Sequence, residues 1–166
     1  MAHRFDRGTT ADADLLLAAT VDVLAGTLGL RDGNTGEHSD RVVGLAQRIG
    51  ERLGLEEREL RDLGYAARLH DIGKVGVPDV VLHKAGPLDA EERKLIEGHS
   101  VWGADLVGRI PGLEGVARIV RHHHERYDGE GYPDGLEGRD IPLASRVLAV
   151  ADAYVAMTED RPYRRA

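Results

Sequence analysis

Leu143-Ala144-Ser145-Arg146-Val147-Leu148-Ala149-Val150-Ala151-Asp152-Ala153-Tyr154-Val155-Ala156-Met157-Thr158 is the most apolar stretch of the chain. Leu143, Val147, Leu148, Val150, Ala151 and Val155 recur at the three- and four-residue steps of a helix. A helix this apolar belongs inside a bundle, packed against other helices. It carries one acidic group, Asp152, where charge is costly. A buried carboxylate must be paired or bound to metal. Arg118 and Arg146 are the plain candidates for an ion pair, and a metal site is the alternative.

The same period extends through most of the sequence. Residues 10–29 set Leu16, Ala19, Val23 and Leu24 on one stripe, after Thr9 or Thr10 as N-cap. A turn at Arg31-Asp32-Gly33-Asn34-Thr35-Gly36 leads into a helix at 37–53, with Val42, Leu45, Ala46, Ile49 and Leu53 in step and Gly54 as C-cap. Further helices are predicted at 56–71, 89–108, 113–126 and 143–159. Gly73 to Pro87 is a connector with room for one short helical turn. Asp128 to Pro142 holds four glycines and two prolines, too many for either regular element. No stretch alternates with period two. The fold class is therefore all-α: a single bundle of about six helices with a long ordered Gly/Pro loop near 128–142.

Composition narrows the function. In 166 residues, 42% are hydrophobic and 31% charged, enough for a packed core. Aromatics are only 4%, so that core is built from Leu, Val, Ile and Ala. A net charge of −7 opposes a sequence-independent grip on nucleic acid polymers. The absence of cysteine excludes disulfides, thiolate zinc sites and cysteine nucleophiles. The apolar run Leu15 to Val21 is bounded by Asp12, Asp14 and Asp22, so neither a signal peptide nor a membrane span is expected, and a cytoplasmic location is.

The histidines are placed suggestively. His38, His70, His99, His123 and His124, with Asp71 and Asp152, supply too many ligands for one ion and suit two held within a helical bundle. On a continuous helix, neighbours point about 100° apart. His123 and His124 would then serve two ions, or one ion and its bound ligand. Nitrogen and oxygen donors without sulfur suit Fe, Mn, Co, Ni or Zn. Paired metals generate a hydroxide nucleophile near neutral pH and neutralise charge in an in-line phosphoryl displacement, which points to phosphate ester hydrolysis. Lys74, one of only three lysines, lies four positions after His70, where its ammonium could contact a phosphate or protonate a leaving oxygen. A solvated side chain, as expected of Lys84 and Lys94, is the other reading.

His70-Asp71-Ile72-Gly73-Lys74 resembles the HD motif of the HD phosphohydrolase superfamily. His123-His124-Glu125-Arg126-Tyr127-Asp128-Gly129-Glu130-Gly131-Tyr132-Pro133 resembles the signature of its HD-GYP branch. The likeness begins at Gly36-Glu37-His38-Ser39 and runs through Val150-Ala151-Asp152 to Arg161-Pro162-Tyr163-Arg164, covering about residues 30–166. It implies a metal-dependent phosphodiesterase acting on cyclic di-GMP, some members of the family cleaving related cyclic dinucleotides. By position, His38, His70, Asp71, His99, His123, His124 and Asp152 match metal ligands, with Asp71 bridging two ions. Lys74 would face the scissile phosphate, and Arg161 and Arg164 would hold the phosphates of the dinucleotide. Gly131-Tyr132-Pro133 would shape the rim of the site and offer a docking point for GGDEF-type signalling domains.

Two departures from the family pattern shape the expectations. Some members bind a third metal through a Glu one turn before the position of His38, where this chain has Asn34. Two divalent ions, Fe or Mn, and linear pGpG as product are expected. The chain ends soon after Arg164, where the family domain usually continues, so residues 31–166 read as a shortened catalytic domain. Residues 1–30 read as a helix serving as linker or homodimer contact. A docking module without turnover and a general HD nucleotide phosphohydrolase are the other readings.

Overall fold

Residues 7–32 and 36–158 are described by the computed structural model. Their helices are α1 (Arg7–Asp32), α2 (Gly36–Arg52), α3 (Glu57–Leu69), α4 (Asp79–Leu82), α5 (Ala90–Glu97), α6 (His99–Val107), α7 (Glu114–Arg121) and α8 (Leu143–Thr158). All six stretches with helical periodicity are helical, one of them in two pieces. No strand occurs among the described residues, where pairing is limited to an isolated bridge between Asp128 and Glu137.

Helix α8 buries one face against the bundle, while Val150, Tyr154 and Met157 on the other are more than half exposed, so Val150 does not join the predicted buried set. Val147, Leu148, Ala151 and Val155 are buried with Val42 and Ala46 of α2, Leu63, Ala66, Ala67 and Leu69 of α3, and Val116, Ile119 and Val120 of α7. Burial of the Val, Leu and Ile side chains among these contributes about 1.5–3 kcal/mol each. Helix α2 packs against both α3 and α8, and α3 against α7. These contacts bring His38, the α3 C-terminus and Asp152 to one region.

Of the predicted stripe of α1, only Leu24 packs against the core. Val21 is fully buried, and Leu17, Leu24, Ala25 and Leu28 pack with it. Leu16 and Val23 are 71% and 69% exposed. The helix has two apolar stripes that share Leu24, and contacts to α3 and to the turn after it bury the one through Leu17 and Val21.

Other boundaries moved for local reasons. The predicted 89–108 helix divides at Gly98, against which the Trp102 ring is packed; a Cβ there would meet the indole at 3.0 Å. Its start is fixed by a capping box in which Glu92 N donates to Asp89 Oδ1 and Asp89 N to Glu92 Oε2, each at 2.9 Å. The connector after α3 holds a 3-10 turn, Ile72–Gly76, as well as α4. A Cβ on Gly73 would fall 1.9 Å from the His99 carbonyl oxygen and 2.5 Å from the Gly103 nitrogen. The turn thus rests backbone on backbone against α6, which sets Asp71 beside His99.

Residues 122–142 contain no α-helix, only turns, the bridge and a 3-10 turn at Gly138–Asp140. The Tyr132–Pro133 peptide bond is cis. No helix among the described residues is long and apolar enough to cross a membrane. Asn34, Arg161 and Arg164 and the side chains of Thr9 and Thr10 lie outside the described residues.

Candidate metal centre

His70 is the C-cap of α3, and Asp71 follows with φ −91° and ψ 0°, outside the helical region. Leaving the helix here turns the Asp71 carboxylate into the bundle, where one oxygen faces His70 Nε2 at 3.4 Å and the other faces His99 Nε2 at 3.6 Å. Lys74, one 3-10 turn on, donates to Asp71 Oδ2 at 2.8 Å.

Two triads flank this carboxylate. His99, His123 and His124 form one, and His38, His70 and Asp152 the other; within each, the ligand atoms lie within 4.8 Å of one another. Asp152 Oδ1 is 3.2 Å from His38 Nε2 and 3.9 Å from His70 Nε2. Neither Arg118 nor Arg146 pairs with it among the described residues, so the plain ion-pair reading of Asp152 does not hold. His123 and His124 fall in the same triad, contrary to the helical expectation. The reason is that α7 ends at Arg121 and His122 adopts φ −106°, ψ 13°, so the pair sits on a turn. Their ring centroids are 3.9 Å apart.

The imidazoles are oriented by the backbone. Nδ1 of His70, His99 and His123 donates to the carbonyl three residues earlier, that of Ala67 at 2.9 Å, Ile96 at 2.5 Å and Val120 at 2.6 Å. A carbonyl can only accept, so each Nδ1 carries the proton when the ring is neutral, and each Nε2 presents a lone pair. Nε2 of His99 and of His123 is buried without a hydrogen-bond partner among the described residues. Such orphaned acceptors are costly unless something binds them. The donor set therefore fits a divalent ion in each triad, with Asp71 between.

Electrostatics divide the two groups. Burial pushes the imidazoles of His99, His123 and His124 down, His124 to about 4, and the neighbouring rings add to the shift in His123 and His124. His70 goes the other way. Burial opposes its charge, but Asp71 and Asp152 outweigh that and raise it to about 9. Burial likewise disfavours the charged carboxylates, yet His70 and Lys74 hold Asp71 well below the usual range, and His38 and His70 lower Asp152. A metal ion on the His70 side must displace a proton from that ring.

A family model for the HD domain matches residues 22–166. The chain belongs to the HD domain family. The string from His123 to Pro133 sets it in the HD-GYP branch. The cyclic di-GMP phosphodiesterase response regulator RpfG of Xanthomonas campestris is 42% identical over 149 residues, 89% of this chain and 39% of that protein. A cyclic di-GMP phosphodiesterase of Thermotoga maritima is 43% identical over 136 residues, 81% of this chain and 37% of its own. A crystal structure of a cyclic GMP-AMP specific phosphodiesterase of V. cholerae superposes with a TM-score of 0.63 at 25% identity, over 82% of this chain and 40% of that one. This HD domain thus spans less than half the length of these relatives.

The signature loop closes over the second triad. The Tyr132 ring lies 4.8 Å from that of His124, tilted 33°. Burial raises the Tyr132 phenol, helped by the charges of Glu97, Asp71 and Asp152, so the hydroxyl stays protonated. Gly131 allows the approach, since a Cβ there would meet the Arg126 nitrogen at 2.2 Å. His122 turns away from the triads to Asp134, at 3.0 Å.

Sequence reasoning missed Glu125, which is buried and accepts from the backbone N–H of Asp134 and Leu136. Its partners lie 9 and 11 residues on and are backbone groups, which leave no side-chain pattern; its place beside His124 was the only signal. Asp134, gripped by Arg121 at 2.7 Å through two bonds, was missed for the same reason.

Proposed function

We propose that this HD domain is a metal-dependent phosphodiesterase that hydrolyses cyclic di-GMP to linear pGpG. The observation that carries the reading is Asp71, whose two oxygens face His70 of one triad and His99 of the other. His38, His70 and Asp152 would hold one ion, His99, His123 and His124 a second, and Asp71 would contact both. Two divalent ions, iron or manganese, would supply charge neutralisation at the phosphate and activation of the attacking water. Lys74, 2.8 Å from Asp71, would counter charge on the scissile phosphate and deliver a proton to the departing 3′-oxygen. Arg161 and Arg164 would hold the dinucleotide phosphates, a role that rests on the resemblance alone.

Similarity to a cyclic GMP-AMP specific phosphodiesterase supports a second substrate reading, 3′3′-cGAMP, within the same chemistry. Residues 31–166 are proposed as the catalytic domain. The exposed Leu15, Leu16 and Val23 support a homodimer contact on α1, and the tip of the signature loop a docking point for a GGDEF-type domain.

The test is a substrate panel. Metal-free protein is loaded with Mn(II) or anaerobically with Fe(II), incubated with cyclic di-GMP, 3′3′-cGAMP and 5′-mononucleotides, and the products separated by chromatography. Metal-dependent pGpG is expected. Turnover of mononucleotides alone would favour a general phosphohydrolase, and tight binding without any product a docking module.

A further inference from the structure

His124 differs from the other histidines of the second triad. His99 and His123 are each locked by an Nδ1 hydrogen bond to a backbone carbonyl. Among the described residues no hydrogen bond holds the His124 imidazole. Its surroundings are rings instead: His123 at 3.9 Å, His99 at 5.0 Å and Tyr132 at 4.8 Å. An imidazole left to rotate would be a poor ligand, because ligand rings are ordinarily fixed by a partner on the other nitrogen.

Tyr132 is itself held firmly. Its N–H donates to the His124 carbonyl at 3.3 Å. Beyond it, Glu125 uses both oxygens at once: Oε1 accepts from Asp134 N at 2.8 Å and Oε2 from Leu136 N at 3.1 Å. This carboxylate is only 5% exposed, where its bonds to N–H groups are charge-assisted. From the other side, Arg121 and His122 clasp the Asp134 side chain. The turn carrying Tyr132 is thus pinned at both ends to the segment that carries His124.

We infer that Tyr132 is a positioning residue for the His124 imidazole, and that Glu125 holds Tyr132 in place through the backbone of Asp134 and Leu136. The ring face of Tyr132 does for His124 what a backbone carbonyl does for His99 and His123. The inference rests on the metal-centre reading and goes beyond it, since neither residue touches the ion. Contact through the ring, rather than the hydroxyl, makes a sharp distinction between variants. Tyr132→Phe keeps the ring and Tyr132→Ala removes it. Glu125→Gln keeps one acceptor but sets an NH2 group against the second backbone N–H.

The experiment is Co(II) titration of the metal-free full chain, followed by the visible ligand-field bands, with folding checked by thermal unfolding. Wild type should take up about two equivalents. Tyr132→Ala and Glu125→Gln should weaken one equivalent by 10- to 100-fold and alter its bands, leaving the other unchanged, the size typical of lost orienting partners. Tyr132→Phe should match wild type. Two wild-type equivalents in folded Tyr132→Ala, or Tyr132→Phe as weak as Tyr132→Ala, would overturn the inference. If Glu125→Gln does not fold, the Tyr132 pair alone decides. Wild type binding no Co(II) would overturn the metal-centre reading and this inference with it, a different result from wild-type binding that the variants leave untouched.

Discussion

Nε2 of His38 and Oδ1 of Asp152 lie 3.2 Å apart across 114 residues of chain. The contact exists because α2 packs along α8, the most apolar helix, and carries its one buried imidazole to the one carboxylate of that helix. The pair gives Asp152 a partner that can also be a ligand. Asp152→Asn keeps the shape and removes the charge. It should fold with little change in Tm, lose one of two bound Mn(II) equivalents, and lower turnover at least 100-fold. Equilibrium dialysis with metal analysis checks this; a variant with both ions at wild-type affinity would contradict the assignment.

Lys74 should separate from the ligands in its effect. Lys74→Ala leaves both triads intact but removes the ammonium 2.8 Å from Asp71. Metal content should be unchanged, with kcat for cyclic di-GMP reduced by roughly 10²–10³-fold, the scale of a lost general acid. Steady-state kinetics at saturating metal would show it.

The metal-free protein should be most stable near pH 6.5. Folded His124 takes a proton only at about 4, against 6.5 in the unfolded chain. Between those values the unfolded state binds more protons, so stability is lost as pH falls. The lowered values of His99 and His123 act in the same direction. His70 is opposite: between 6.5 and about 9 the folded state holds the extra proton, so stability is lost as pH rises through that window. Urea midpoints of EDTA-treated protein from pH 4 to 9 should trace a dome, and a midpoint rising steadily to pH 9 would contradict the His70 environment.

Two glycines should respond in opposite directions to the same change. Gly73→Ala would drive a Cβ into the backbone of His99 and Gly103, a clash no rotamer relieves, and should cost about 3 kcal/mol or more. Gly44 sits exposed in α2 with nothing within 4 Å of a Cβ, so Gly44→Ala should gain about 1 kcal/mol from helix propensity. Chemical denaturation of both variants tests the packing of the Asp71 turn.

The legible parts of the molecule were those written in local period. α2 and α8 are near their predicted bounds, since each shows one apolar face and clear ends. α1 was legible as a helix but only partly in orientation, because the predicted Leu16-Ala19-Val23-Leu24 and the observed Leu17-Val21-Leu24-Leu28 both satisfy the period, share Leu24, and only the tertiary contacts choose between them. The end of α7 was hidden because residues 122–126 lack a Gly or Pro to mark it. That one boundary decided the geometry of His123 and His124, and with it which ligands share a triad. The identities of the seven clustered residues could be carried over by motif, whereas the Glu125 clamp depends on backbone N–H groups and could only be seen folded.

The central claim is that Asp71 joins two metal sites. The most direct measurement is metal stoichiometry in wild type and Asp71→Asn, with cyclic di-GMP turnover recorded on the same samples. The account predicts about two ions per chain and pGpG formation in wild type, and loss of bound metal together with turnover in Asp71→Asn. Cleavage of cyclic di-GMP by Asp71→Asn stripped of metal would contradict it.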